Sequence, residues 1–122
     1  MNMDIVGVVE RYVREALIGG DRRVLADLVD SDEIPDLTNA FTGAFTDRSI
    51  NTFGPIFPSA DGQYVACYLN VHLRQVAPFL HVNAIGSAAD IDIVAIYQVD
   101  DGKVTHVWVE WDMAGLIAAG AQ

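Results

Sequence analysis

Twelve residues, Tyr64-Val65-Ala66-Cys67-Tyr68-Leu69-Asn70-Val71-His72-Leu73-Arg74-Gln75, constrain the fold of this chain more than any others. Val65, Cys67, Leu69, Val71 and Leu73 alternate strictly with Tyr64, Tyr68, Asn70, His72 and Arg74. A period of two belongs to a strand, because wound into a helix the same apolar residues would scatter around the axis. One face of this strand needs a cover, and the rest of the chain must supply it.

More strands lie downstream. Residues 90–99 place Ile91, Ile93, Ala95 and Tyr97 on one face and Asp90, Asp92, Val94, Ile96 and Gln98 on the other. Asp101-Gly102 predicts a tight hairpin turn into a last strand over 103–111. Its inward parity reads Thr105, Val107, Val109, Trp111, and its outward parity His106, Trp108, Glu110. Residues 79–86 read as a connection or short strand, and residues 54–63, with Gly54-Pro55, Pro58-Ser59 and Asp61-Gly62, as turns.

Helices supply the cover. Residues 3–19 repeat Ile5, Val9, Tyr12, Val13, Ala16 and Leu17 at helical spacing, with Glu10, Arg11, Arg14 and Glu15 opposite. Gly19-Gly20 stops this helix, and Asp21 caps a second over 22–29 that buries Leu25, Leu28 and Val29. Residues 30–36 read as an acidic loop. A third helix starts near Asp36 and carries Leu37, Ala40, Phe41 and Phe45, and a terminal helix begins near Met113. Helices first and meandering strands after make an α+β fold, with the N-terminal helices packed on one face of a strongly curved antiparallel sheet.

At 122 residues the expectation is one domain over 1–122. The net charge is −10 and Lys103 is the one lysine. Nucleic acid and anionic membranes need clustered cations, so neither is an expected partner. No apolar run is long enough to span a bilayer. The start, Met1-Asn2-Met3-Asp4, lacks a secretory pattern, and one cysteine, Cys67, excludes an internal disulfide. The expected compartment is the cytoplasm. His72, His81 and His106 have no metal-ligand spacing, so no metal is expected, and no glycine-rich phosphate loop is present.

The stretch Asp-Gly-Lys-Val-Thr-His-Val-Trp-Val-Glu-Trp-Asp-Met-Ala-Gly-Leu, residues 101–116, resembles the closing signature of SnoaL-like polyketide cyclases in the nuclear transport factor 2-like superfamily. Phe79-Leu80-His81-Val82-Asn83-Ala84-Ile85-Gly86 sits where that family has a Phe-Leu-Gly loop, and Gly19-Gly20-Asp21 is similar to its opening. The resemblance covers nearly the whole chain and is weakest over residues 37–60. It implies a cone-shaped α+β barrel with an internal pocket and, usually, a homodimer through the outer sheet face. It also implies a cyclase or isomerase acting by cofactor-free acid–base chemistry on a hydrophobic, carbonyl-bearing, polyketide-like metabolite. The same fold serves non-catalytic hydrophobic-ligand binders and interaction modules, and that is the alternative reading.

Such enzymes often carry an inward Asp in the last strand, and the matching position here is Val109. The Arg and two Asp residues of epoxide hydrolase relatives find no match. Asp36 then stands as a general acid or base at the pocket rim, or as the cap of the third helix. His81 is a proton shuttle in the mouth loop, or a solvated histidine. Asn83 and Gln75 are candidates to hold a substrate oxygen. Tyr12 and Tyr97 either offer a phenol to an enolate or pack in the core. Val109 and Trp111 would wall a pocket whose apolar lining also includes Val65, Cys67, Leu69, Ile91, Ile93 and Val107. Cys67 reads as an inert buried thiol. On the outer face, His72, Arg74, Val94, Trp108 and Glu110 form the expected dimer interface, because a solvated face seldom gathers that much apolar area.

Overall fold

The computed structural model describes residues 4–120. The expected start of the first helix at Met3 lies outside them, as do the other residues of the 1–3 segment. Asp4 caps helix α1, Ile5–Arg11, its carboxylate accepting from the Gly7 N–H at 3.0 Å. The helix widens into a π-helical segment over Tyr12–Ile18. Its end needs both glycines. A Cβ on Gly19 would lie 2.7 Å from the Glu15 carbonyl oxygen, and Gly20 has φ +73°. Asp21 caps a 3₁₀ turn, Arg22–Val24, that runs into α2, Leu25–Leu28, as the sequence predicts.

Helix α3 spans Glu33–Ala44, three residues ahead of the expected start at Asp36. The Ser31 hydroxyl receives the Glu33 and Ile34 N–H groups at 3.2 and 3.3 Å, and Pro35 fits the first turn, where its missing N–H is no loss. Asp36 is therefore not the cap. Phe45, expected on this helix, is the first residue of a strand.

The sheet is antiparallel, in the order β1-β2-β3-β4, with β1 Phe45–Pro58, β2 Tyr64–Gln75, β3 Ala88–Asp100 and β4 Lys103–Asp112. It curves without closing: β1 and β4 are its edges, so the expected barrel is an open one. Strand β1 replaces the turns expected from residue 54. Register shifts between Thr46 and Ser49, Ile50 and Thr52, and Phe53 and Ile56 break its alternation and hide it from a period-two reading. Arg48 ties this strand to the helices, donating to the carbonyls of Ile18 at 2.9 Å, Thr42 at 3.1 Å and Phe45.

Strands β2 and β3 pair without interruption, and the five apolar residues of the β2 alternation are all buried. Asp101 and Gly102 make the hairpin with φ +50° and +76°. A register shift then falls between Gln98 and Val99, opposite His106 and Val104. It puts Val104, not Thr105, on the inward face. Thr105 is the extra residue, and its hydroxyl turns to the Asp100 carboxylate at 2.9 Å. Helix α4 is Ala114–Gly120. Among the described residues no helix is long and apolar enough to cross a membrane.

Candidate functional site

The inner face of the sheet is packed over most of its length. Helix α1 lies against β2, so Val65, Cys67 and Leu69, expected to line a pocket, are core residues, and so is Ile91. At the far end Phe41, Phe45, Phe79 and Trp111 form a closed aromatic cluster. Phe41 stacks on Trp111 at 5.2 Å, and Phe79 meets Phe45 and Trp111 edge-on at 5.3 and 5.4 Å.

Between these regions lies a cavity lined by Tyr12, Leu17, Leu37, Ile93, Tyr97, Val107, Val109 and Trp111. Its volume is about 10 Å³, room for a single water. Pairings Tyr97↔Val107, Ala95↔Val109 and Ile93↔Trp111 bring its sheet residues onto one face. Tyr12, Tyr97, Val109 and Trp111, four of the expected ligand-binding residues, meet here. Leu17 and Leu37 join them. Leu37 was legible as an apolar helix residue, but its place on the lining depends on where α3 packs.

The two phenols differ. Thr38 donates to the Ile34 carbonyl at 2.7 Å, so the contact at 2.7 Å between the Tyr12 and Thr38 hydroxyls has Tyr12 as donor. Burial pushes the Tyr12 pKa up to about 12. Tyr97, edge-on to Tyr12 at 5.6 Å, is held well above the ordinary value by burial, then by Tyr12 and Cys67. No described protein group hydrogen-bonds its hydroxyl. Tyr97 is thus a protonated donor in an apolar lining, suited to an oxygen that gains negative charge. Among the described residues the cavity lining carries no carboxylate and no imidazole.

The other expected residues lie elsewhere. Asp36 is exposed on the first turn of α3 and does not line the cavity. His81 and Asn83 are exposed and line a separate cleft of about 230 Å³ against Ile117 and Gly120 of α4. Gln75 is fully buried, but its amide is already engaged: Nε2 donates to the Ala77 and Val82 carbonyls, each at 2.9 Å, and Oε1 accepts from the Ala84 N–H at 2.7 Å. It holds the 76–87 loop in place, and no amide donor is left for a substrate oxygen. Cys67 is buried, and burial pushes its thiol up to about 11, which fits an inert role. No cluster of three or more His, Cys, Asp or Glu side chains able to hold a metal occurs among the described residues.

On the outer face, register aligns Phe57, Ala66, Ile96 and Trp108 in one row across all four strands. Phe57, Ile96 and Trp108 are exposed, as is neighbouring Val94. Polar residues flank this row. Asp92 accepts from the Tyr68 hydroxyl at 2.6 Å and from Asn70 at 2.8 Å, which hold its pKa below the ordinary value, and His72 meets Asp90 at 2.9 Å. Arg74 lies 3.7 Å from Asp47 and donates to the Gly86 carbonyl.

No family model matches this sequence, and no curated protein matches it. Solved structures do match its fold. TsrD from Streptomyces laurentii superposes with a TM-score of 0.77 at 19% identity, over 98% of this chain and 97% of its own. A candidate polyketide cyclase from Pseudomonas putida gives 0.79 at 15% identity, covering 97% and 98%. A SnoaL-like polyketide cyclase from Agrobacterium tumefaciens gives 0.74 at 13% identity, covering 93% and 95%. At these identities the shared property is the fold, which is the one the residues of 101–116 imply.

Proposed function

We propose, on the premise of a fold shared with SnoaL-like polyketide cyclases, that this chain binds a hydrophobic, carbonyl-bearing small molecule and promotes its cyclisation or isomerisation. The observation that carries this reading is the hydroxyl of Tyr97, which no described group hydrogen-bonds and which is not sealed from solvent, in a lining of apolar residues and Tyr12. A carbonyl oxygen placed against it accepts a hydrogen bond that strengthens as the oxygen becomes an enolate and the α-proton passes to water, since the described lining holds no carboxylate or imidazole. Because burial holds the phenol protonated, Tyr97 acts as donor and not as base. Proton-transfer chemistry of this kind needs no cofactor. The resting cavity of about 10 Å³ requires its lining to move before a metabolite fits.

The test is product formation from a poly-β-ketone thioester mimic, followed by chromatography and mass spectrometry. The wild-type chain is expected to form cyclised product faster than buffer does, and Tyr97→Phe to lose at least about tenfold of that rate, as removal of an oxyanion donor does. A wild-type rate equal to the buffer rate contradicts the catalytic reading. One observation favours the second reading, a non-catalytic binder: Val109 stands on the lining where SnoaL-like enzymes often carry an acid.

The assembly proposed is a homodimer through the outer sheet face, in the cytoplasm, as a single domain. The row Phe57, Ala66, Ile96, Trp108 supports it, because two copies related by a twofold axis bury such a row against itself. Its polar flanks, including His72, Arg74 and Glu110, would form the rim.

A further inference from the structure

A second cleft, of about 250 Å³, opens on the surface between α3 and β4 and is lined by Glu33, Ile34, Leu37, His106 and Val107. Leu37 and Val107 also line the Tyr97 cavity. One pair of side chains therefore has the interior space on one side and the open cleft on the other. Both are half-buried, the state of residues that form a thin wall.

The backbone leaves this wall unlocked. Among the described residues, backbone hydrogen bonds tie the helical layer to β4 around Val104, where Val29 bridges to it and the Asp30 N–H donates to its carbonyl at 2.9 Å, and beside it the Lys103 ammonium donates to the Ala26 carbonyl at 3.2 Å. Beyond Val104, β4 is the free edge of the sheet, and α3 meets it through side chains alone. Moving Leu37 or Val107 to another rotamer breaks no backbone hydrogen bond. The opposite end is closed by the four-ring aromatic cluster, and the loop beyond it is pinned by Gln75.

We propose that a ligand reaches the Tyr97 cavity between α3 and β4, through the side-chain wall of Leu37 and Val107, with Glu33 and His106 facing its outer end. This rests on the reading of the cavity as a ligand site. Apart from the two tyrosines, Glu33 and His106 are the ionisable groups on the two linings. The route therefore selects a neutral, largely apolar molecule whose inner oxygen meets Tyr97. Glu33, an exposed acid at the mouth, disfavours a second group that is anionic.

The test is stopped-flow binding of two probes, neutral Nile red and anionic anilinonaphthalene sulfonate, to the full chain and to folded variants checked by circular dichroism. Leu37→Ala thins the wall and is expected to raise the association and dissociation rates of Nile red at least fivefold. His106→Trp narrows the cleft without touching the cavity lining and is expected to lower both at least fivefold. Ile117→Trp, in the cleft beside His81, is expected to change neither. Glu33→Gln is expected to raise the affinity for the anionic probe relative to the neutral one at least threefold. Unchanged rates in Leu37→Ala and His106→Trp, or slowing by Ile117→Trp, overturn the route while the ligand site stands. An unchanged probe ratio in Glu33→Gln overturns the role of the mouth. No saturable binding by the wild-type chain overturns the ligand site and the route together.

Discussion

Replacing Gln75 by Leu tests how the 76–87 loop is held. The side chain is fully buried and its amide serves three backbone groups: the carbonyls of Ala77 and Val82 and the N–H of Ala84. Leucine keeps a similar bulk but leaves the Ala77 carbonyl and the Ala84 N–H without a partner, while the Val82 carbonyl keeps the Phe79 N–H at 3.0 Å. A buried polar group stripped of its partner costs about 1–3 kcal/mol, and the loop's exposed neighbours let water reach part of the gap, which favours the low end. The expected loss is about 2 kcal/mol, a large share of a typical domain's stability. In urea unfolding, with a slope of about 1.5 kcal/mol/M, the midpoint falls by about 1.3 M at unchanged slope. Gln75→Glu adds a sign test. It retains the acceptor for Ala84 but turns a carboxylate toward two carbonyls, so burial and those carbonyls raise its folded pKa. Its destabilisation is therefore smaller at acid pH, where the protonated form can donate, and grows as pH rises through the unfolded carboxyl range. A loss under about 1 kcal/mol in Gln75→Leu, or a Gln75→Glu penalty that grows on acidification, refutes this account of the loop.

Other outcomes follow from the same geometry. Of the four tyrosines, Tyr12 and Tyr97 should resist ionisation in an alkaline absorbance titration until the chain unfolds. Both folded pKa values are raised, so their contribution is complete below the unfolded value near 10.0 and is lost as pH climbs toward about 12 and beyond. Cys67, moved from 9.0 to about 11, should carry roughly a hundredfold less thiolate and react with a thiol reagent far more slowly in buffer than in urea. Trp108→Glu places a charge in the outer apolar row and should turn a dimer into a monomer at micromolar concentration in sedimentation, with the fold intact. A wild-type monomer would contradict the proposed assembly.

What the chain discloses in sequence depends on how regular its elements are. Strands β2 and β3 pair in unbroken register, and their alternation gives both faces directly. Strand β1 carries three register shifts, so its residues look like a helix end and turns. In β4 one shift moves a single residue, which swaps Thr105 for Val104 and leaves Val107, Val109 and Trp111 inward as read. The site followed the same division. Tyr12, Tyr97, Val109 and Trp111 came from strand parity and helical spacing. His81 and Asn83 came from the place of a loop, which does not tell where a side chain points, and Gln75 came from the resemblance, which does not tell that its amide is already engaged. The Tyr12–Thr38 bond needed the packing of α3 on the first helix, which pairs residues 26 apart.

The central claim is that the Tyr97 hydroxyl receives a ligand oxygen. The most direct measurement compares the affinities of 2-acetylnaphthalene and 2-ethylnaphthalene for the wild-type chain and for Tyr97→Phe, read by tryptophan fluorescence. A hydrogen bond of about 1.4 kcal/mol corresponds to a tenfold preference. The wild-type chain is expected to prefer the ketone about tenfold, and Tyr97→Phe to bind both equally. A ketone preference that survives in Tyr97→Phe would contradict it.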